Sequence, residues 1–294
     1  MESPNAYRLS DEERSAVYRT AREVSPDDPE AQAIAALFRA ACILLARVFG
    51  KGWFQANIAA QVTSTNFVRR PLANELDRMW YVTRAVELAE ALYCLRGVPG
   101  ISQHVESCRL NTLSGESLES AWFEFFVPYL IQKKGHGITS FISPDAAKKT
   151  SDVMVQFHGC LLPVEIKAKL EDNPYSRRSL SNSLKLASAQ LPKQGPGVVF
   201  LMIHSHWMQN ADFQRQAVGI LQRALTRYRN CNAVYVLCPL MKKLPGGALA
   251  YPWRALCVAA LTPFEHVNAI ERLIDIQSDV AHTAAHFTFL EGAT

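Results

Sequence analysis

No two cysteines in this chain stand at C-x-x-C spacing; the seven present (Cys42, Cys94, Cys108, Cys160, Cys231, Cys238 and Cys257) are scattered. That argues against a zinc ribbon or a disulfide framework and for reduced thiols. No Walker loop, dinucleotide-binding glycine pattern or G-x-S-x-G elbow is present, which removes the commonest phosphate cradles and nucleophile turns. Low-complexity segments and internal repeats are also absent. The most apolar stretch, EAQAIAALFRAACILLARVFG, carries Arg39 and Arg47 and reads as an amphipathic core helix. The opening MESPNAYRLSDEERS is acidic and polar, unlike a secretory signal, so a cytoplasmic protein is expected.

What is there is a globular composition: 294 residues, 49% hydrophobic and 20% charged, with 14 Gly and 15 Pro, enough for one large domain or two. The net charge of +4 is modest, but its distribution is uneven. Between Lys133 and Lys193 ten bases stand against five acids, so this window alone is more basic than the whole chain. A polyanionic partner would explain such a window, as would a solvated basic face.

Residues 1–110 read as mostly helical. SPDDPEAQAIAALFRA opens a helix with an Asp cap and a first-turn Pro, and RPLANELDRMWYVTRAVELAEALYCLRG opens with Pro and closes on Gly97. After a helix from about Gly115 to Lys134, short β-branched runs take over: GITSFIS, DVMVQFH, CLLPVEIKAK, GVVFLMIHSHW, NAVYVLCPL and ALCVAALT. Helices at SLSNSLKLASAQL, NADFQRQAVGILQRALTRYR and PFEHVNAIERLIDIQSDVAH fall between or after them. Residues 111–294 are therefore expected to form an α/β domain in which an antiparallel meander joins a crossover.

Within it, SDVMVQFHGCLLPVEIKAK sets charged residues among buried-strand residues. A two-residue turn at His158-Gly159 would set Val155 opposite Leu162, Val153 opposite Val164 and Asp152 opposite Glu165. Alternation then puts Glu165 and Lys167 on one side and Ile166 on the other. Two carboxylates about 5 Å apart repel one another unless a cation sits between them. A hard divalent ion such as Mg²⁺ (or Mn²⁺) suits them, and an adjacent lysine can orient water or offset charge on a phosphate. Surface ion pairs on an edge hairpin are the plainer alternative. Pro163 cannot donate to a ladder and predicts a bulge or an edge, with a one-residue register shift as its consequence.

This region resembles the PD-(D/E)XK nuclease superfamily over roughly residues 113–206: a helix bearing an acid, a meander whose second strand starts with Asp, a third strand carrying Glu-x-Lys, here EIK, then a crossover helix and a fourth strand. The resemblance implies a restriction-endonuclease-like mixed sheet core (αβββαβ) flanked by helices and preceded by the helical N-terminal region. It implies an Mg²⁺- or Mn²⁺-dependent endonuclease, with DNA ahead of RNA and prokaryotic defence or mobile elements as its setting. The alternative is a catalytically inactive nucleic-acid-binding or assembly protein on the same fold. Asp152 and Glu165 then correspond to metal ligands, together with the backbone of Ile166, and Lys167 to the catalytic lysine. A literal Pro144-Asp145 precedes them in an Ala- and Lys-rich loop, whereas Asp152 begins an apolar strand. For the helix acid, Glu119 falls among core-facing residues of GESLESAWFEFFVPYL; Glu124 projects nearly opposite and is the second choice.

Gln190 corresponds to a polar residue that some members place beside the lysine, or is a helix-surface glutamine. Lys169, Arg177, Arg178, Lys148 and Lys149 are the expected nucleic-acid contacts. A homodimer or a partner protein is expected to dock through the helical region. His204 with His206, and His282 with His286, are weaker metal-site patterns without a third ligand.

Overall fold

The helices begin where the sequence supplies caps. In this computed structural model, which describes residues 4–60, 67, 72–142, 151–169, 174–193, 195–240, 242–243, 249–250, 253–260, 267–270, 272–274 and 288–291, α1 (Asp11–Val24) starts on a reciprocal box. Ser10 Oγ accepts from Glu13 N at 3.1 Å, and Ser10 N donates to the Glu13 carboxylate at 2.8 Å. α2 (Pro29–Val48) has the expected Asp cap, whose carboxylate accepts from Glu30 N and Ala31 N, both at 3.0 Å, with Pro29 in the first turn. By length and composition α2 could cross a membrane; in the fold, Leu37, Ala41, Leu44 and Leu45 are buried and the helix packs on α1 and on α4 (Glu75–Leu95). Between them lie the short α3 (Lys51–Phe54) and a π turn at Gln55–Ala59. α4 starts after Asn74, whose side chain accepts from Asp77 N at 2.8 Å; the expected start at Pro71 lies outside the described residues.

α5 (Ile101–Leu113) and α6 (Leu118–Lys133) follow. The chain divides into two compact units, residues 1–97, 101–126 and 281–294 in one and 98–100 and 127–280 in the other. The break expected near residue 110 thus falls inside α5. Packing is the reason: Trp53 Nε1 donates to Thr112 Oγ1 at 2.7 Å, and Phe49 meets Phe125 edge to face at 6.4 Å, tying α5 and the first turns of α6 to the earlier helices. The C-terminal α11 (Thr288–Glu291) joins the same unit. Buried Glu90 of α4 accepts from the backbone of Thr288 at 2.9 Å and of Phe289 at 3.1 Å.

The second unit is α/β, built on a six-stranded mixed sheet of order β1 (Gly137–Phe141), β2 (Val153–Phe157), β3 (Cys160–Ala168), β4 (Val198–Met202), β5 (Ala233–Pro239), β8 (Trp253–Ala259). A two-residue pair, β6 (Lys242–Lys243) with β7 (Leu249–Ala250), stands apart. β1, β2 and β3 form the expected antiparallel meander; β3, β4 and β5 run parallel, and β8 returns antiparallel. α7 (Arg177–Ser188) crosses from β3 to β4, and α8 (Ser205–Gln209) and α9 (Ala211–Arg227) lead from β4 to β5. α10 (Val267–Ile270) follows β8.

Alternation divides the sheet's residues between two layers. Val199 and Leu201 of β4 and Val234 and Val236 of β5 pack with Leu180 and Leu184 of α7 and Phe213, Ile220 and Leu221 of α9. On the opposite face Phe200 stacks on Tyr235 at 4.6 Å, and the Tyr235 hydroxyl donates to the Ile270 carbonyl.

The His158-Gly159 turn has φ of 44° and 82°, the positive pair that a tight hairpin matching strand twist requires. Its register is the expected one for Val153 with Val164 and Val155 with Leu162, with Met154 opposite Pro163; the ladder ends at Val153–Val164, so the expected pairing of Asp152 with Glu165 is not part of it. The expected bulge at Pro163 does not occur there; the irregularity lies between β1 and β2, at Ile138/Ser140. Alternation from the closing pair Phe157–Cys160 makes Met154–Pro163 a non-hydrogen-bonded pair, and Pro163 precedes Val164, the first residue paired with β4, so neither ladder calls on its missing N–H.

Two glycines separate backbone strain from close packing. Gly159 has φ 82° with open space where a Cβ would go; Gly100 has φ 84°, and a Cβ there would lie 2.3 Å from the Phe141 carbonyl oxygen. Gly159→Ala is expected to cost about 1–2 kcal/mol for the left-handed conformation. Gly100→Ala adds an overpacking cost of about 1–3 kcal/mol, and urea unfolding midpoints should rank the two accordingly.

Candidate functional site

β3 is central in the sheet, so Glu165 has strands on both sides and is fully buried. It shares its face with Val199, its neighbour across the parallel ladder, and so stands in the layer packed against α7 and α9. A carboxylate in that position requires compensation. It comes from two residues along the same strand face: Lys167 Nζ lies 2.5 Å from Glu165 Oε1, with the lysine side chain 33% exposed, so the pair runs from the sheet interior to solvent.

Asp152 is half-buried at the mouth of β2. Its backbone N–H continues the hairpin by donating to the Val164 carbonyl at 3.0 Å, and its Oδ2 accepts from Ile166 N at 2.7 Å. The aspartate is thereby pinned to the residue between Glu165 and Lys167. Ile166 itself is buried on the opposite face, and only its backbone belongs to the cluster. Glu165 and Lys167 thus meet through their side chains, and Asp152 joins them within the same hairpin through the Ile166 N–H.

The positive residues around them are set by chain connection. Lys169 N donates to the Met202 carbonyl at 2.7 Å, prolonging the β3–β4 ladder, and the Lys169 side chain is half-buried. Arg177 and Arg178 are exposed in the first turn of α7, the helix that leaves this end of β3, and Ser176 Oγ caps it by accepting from Ser179 N at 3.0 Å. At the end of the neighbouring β4 the chain turns into α8: His204 is its cap rather than a strand residue, and His204 and His206 touch through their Nδ1 atoms at 2.7 Å. Lys148, Lys149 and Asp145 lie outside the described residues, as do His282 and His286.

Gln190 is in the turn after α7, donating its N–H to the Ala187 carbonyl at 3.0 Å, and leads back toward the start of β4. Lys167 pairs with Leu201, further along that strand.

Both candidate helix acids have other company, in the first unit. Glu119 is buried at the start of α6 and accepts from Arg84 Nε at 2.9 Å, while Arg84 Nη1 donates to Glu87 at 2.8 Å. The guanidinium is fully buried and sandwiched between indoles, 4.4 Å from the Trp80 centroid and 3.6 Å from that of Trp122. Burial raises the Glu119 pKa above its ordinary value, and Arg84 opposes this only in part. With one guanidinium facing two carboxylates, protonating one acid brings the group to neutrality.

Glu124 faces α5 instead. Its Oε2 lies 3.3 Å from His104 Nε2 and 3.7 Å from Cys108 Sγ. The i, i+4 spacing of His104 and Cys108 is visible in ISQHVESCRL; their pairing with a residue of the next helix is not.

No family model, curated protein or solved structure matches the chain.

Two outcomes follow for the Arg84 group. Arg84→Ala leaves two buried acids without their shared cation and should cost about 3–5 kcal/mol, read from denaturant unfolding. The second concerns pH. With a raised folded-state pKa, the native protein binds more protons than the unfolded chain at any pH between the two values, so stability falls as pH rises upward from about 4.5 through that window. Glu119→Gln should remove this decline, so that its stability relative to the parent improves with pH.

Proposed function

We propose that the second unit is a metal-dependent nuclease that hydrolyses phosphodiester bonds, with its centre at Asp152, Glu165 and Lys167. The observation that carries this reading is the Asp152 carboxylate bound to the backbone between Glu165 and its ion-paired Lys167, on adjacent strands at the end of β3 from which basic α7 departs. The element order α6-β1-β2-β3-α7-β4 adds support for a restriction-endonuclease-like core.

The donor set fits a hard divalent cation. Two carboxylates and the Ile166 carbonyl are all oxygen, and Lys167 balances only one of the two negative charges. Asp152, Glu165 and that carbonyl would hold Mg²⁺ or Mn²⁺, which when bound lowers the pKa of water and polarises a phosphoryl oxygen. The Ile166 N–H fixes one oxygen of Asp152 and hence the direction of the other. Lys167 moves from offsetting Glu165 to offsetting charge that develops on the phosphate, a role its partly exposed ammonium can reach. Arg177, Arg178 and Lys169 bind the backbone phosphates, and Lys148 and Lys149 belong to the same basic window. Glu119 is left out of the centre because Arg84 engages it. DNA is preferred to RNA through the resemblance alone, and the cytoplasm is the compartment.

A binding protein without turnover is the second reading, favoured by one observation: Lys167 and a fully buried Glu165 already form an internal ion pair that needs no metal.

Purified protein incubated with circular double-stranded or single-stranded DNA should cut in Mg²⁺ or Mn²⁺ and not in EDTA. Asp152→Ala and Lys167→Ala are each expected to slow cutting by about 10²–10³-fold or more, with retained circular dichroism. Equal DNA binding by all three proteins without cleavage would establish the second reading, and cutting that survives both substitutions would move the centre elsewhere.

A further inference from the structure

We propose that His104, Cys108 and Glu124 form a zinc site that clamps α5 to α6. The three ligand atoms close a triangle: His104 Nε2 to Glu124 Oε2 is 3.3 Å, and Cys108 Sγ lies 3.7 Å from each of the other two. Atoms bound tetrahedrally at about 2.0 Å for nitrogen and oxygen and about 2.3 Å for sulfur stand about 3.3 Å apart for the N–O edge and about 3.5 Å for edges to sulfur. The triangle therefore already has the edges of a zinc tetrahedron with one vertex left over. A neutral thiol has one proton and can serve one of its two neighbours, whereas a cation at the centre serves all three.

The donors are also prepositioned. His104 and Cys108 are four residues apart on one face of α5, both buried, and Glu124 comes from the adjacent helix after a short connection. The imidazole is held edge-on against Phe125 at 5.0 Å. The turn carrying Cys108 is fixed through its carbonyl, which accepts from Thr112 Oγ1 at 2.7 Å. Glu124 keeps 22% of its side chain exposed, so the site is not sealed from solvent. Thiolate, imidazole and carboxylate together select a borderline-soft ion such as zinc over the hard Mg²⁺ and Mn²⁺ expected at an all-oxygen centre. The two sites thus differ in metal, ligands and unit of the fold.

The test uses the full chain, stripped with chelator, equilibrated with Zn²⁺ or Co²⁺ and desalted. Elemental analysis should find about one zinc per chain more in the parent than in Cys108→Ser or His104→Gln. The cobalt form should show tetrahedral visible bands and a thiolate-to-cobalt charge-transfer band, both lost in Cys108→Ser. Glu124→Gln, the most exposed of the three positions and so the least at risk of misfolding, should weaken zinc binding by roughly tenfold or more while its circular dichroism is unchanged. Zinc should raise the melting temperature of the parent and not of the variants. A parent that retains no zinc overturns the proposal, as does a thiolate–cobalt band that survives Cys108→Ser, since one of the other six cysteines would then be its source.

Discussion

The register of the β2–β3 hairpin governs the second unit. Because side chains alternate with a period of two, slipping β3 by one residue would carry Glu165 and Lys167 into the layer where Phe200 stacks on Tyr235, and would aim Ile166 and Val164 at α7. The His158-Gly159 turn fixes that register at one end, and the Asp152 carboxylate on Ile166 N fixes it at the other. The second lock is made by one of the proposed ligands, so holding the strands in place and building the centre are one structural task. Pro163 sits between the two locks at a position where the ladder needs no donor.

The two units solve the problem of buried charge differently. In the second, a fully buried acid is answered by a lysine whose side chain reaches solvent, which leaves the group open to exchange of partners. In the first, the Arg84 guanidinium is sealed between Trp80 and Trp122 with both of its acids beneath the surface. Truncating a partner there leaves a charge with no access to water, and the balance among three groups is adjusted by protonation rather than by solvent. The lysine arrangement leaves its charges reachable from solvent; the arginine arrangement suits a framework.

Much of the sheet was legible in the sequence because its signals are local. Period-two runs located the strands, and a glycine turn with a pairing rule gave the register down to individual partners. Caps located α2. What escaped depends on tertiary choice. Helical periodicity placed Glu119 among core residues of α6, but could not say that an arginine 35 residues earlier would meet it. A helix with a single buried face would leave Glu124 pointing outward, but nearly all of α6 is covered and α5 lies on the other side. HSHW continued an apolar strand by composition; the cap on His204 ended it. The boundary between units was hidden for a similar reason, since a shift from helical to β-branched sequence marks where strands begin and not where packing changes hands.

The bonds from Glu90 to the backbone of Thr288 and Phe289 span nearly 200 positions, and they tie the last described helix to the helical unit that the chain began building first. The α/β unit is in effect an insertion within the other. During synthesis, then, the sheet can complete itself before Thr288 and Phe289 are made, and until they are made Glu90 lacks those backbone donors. Order of assembly is built into the connectivity: the helical unit starts first, yet its contact with Glu90 can form only after the sheet has been made.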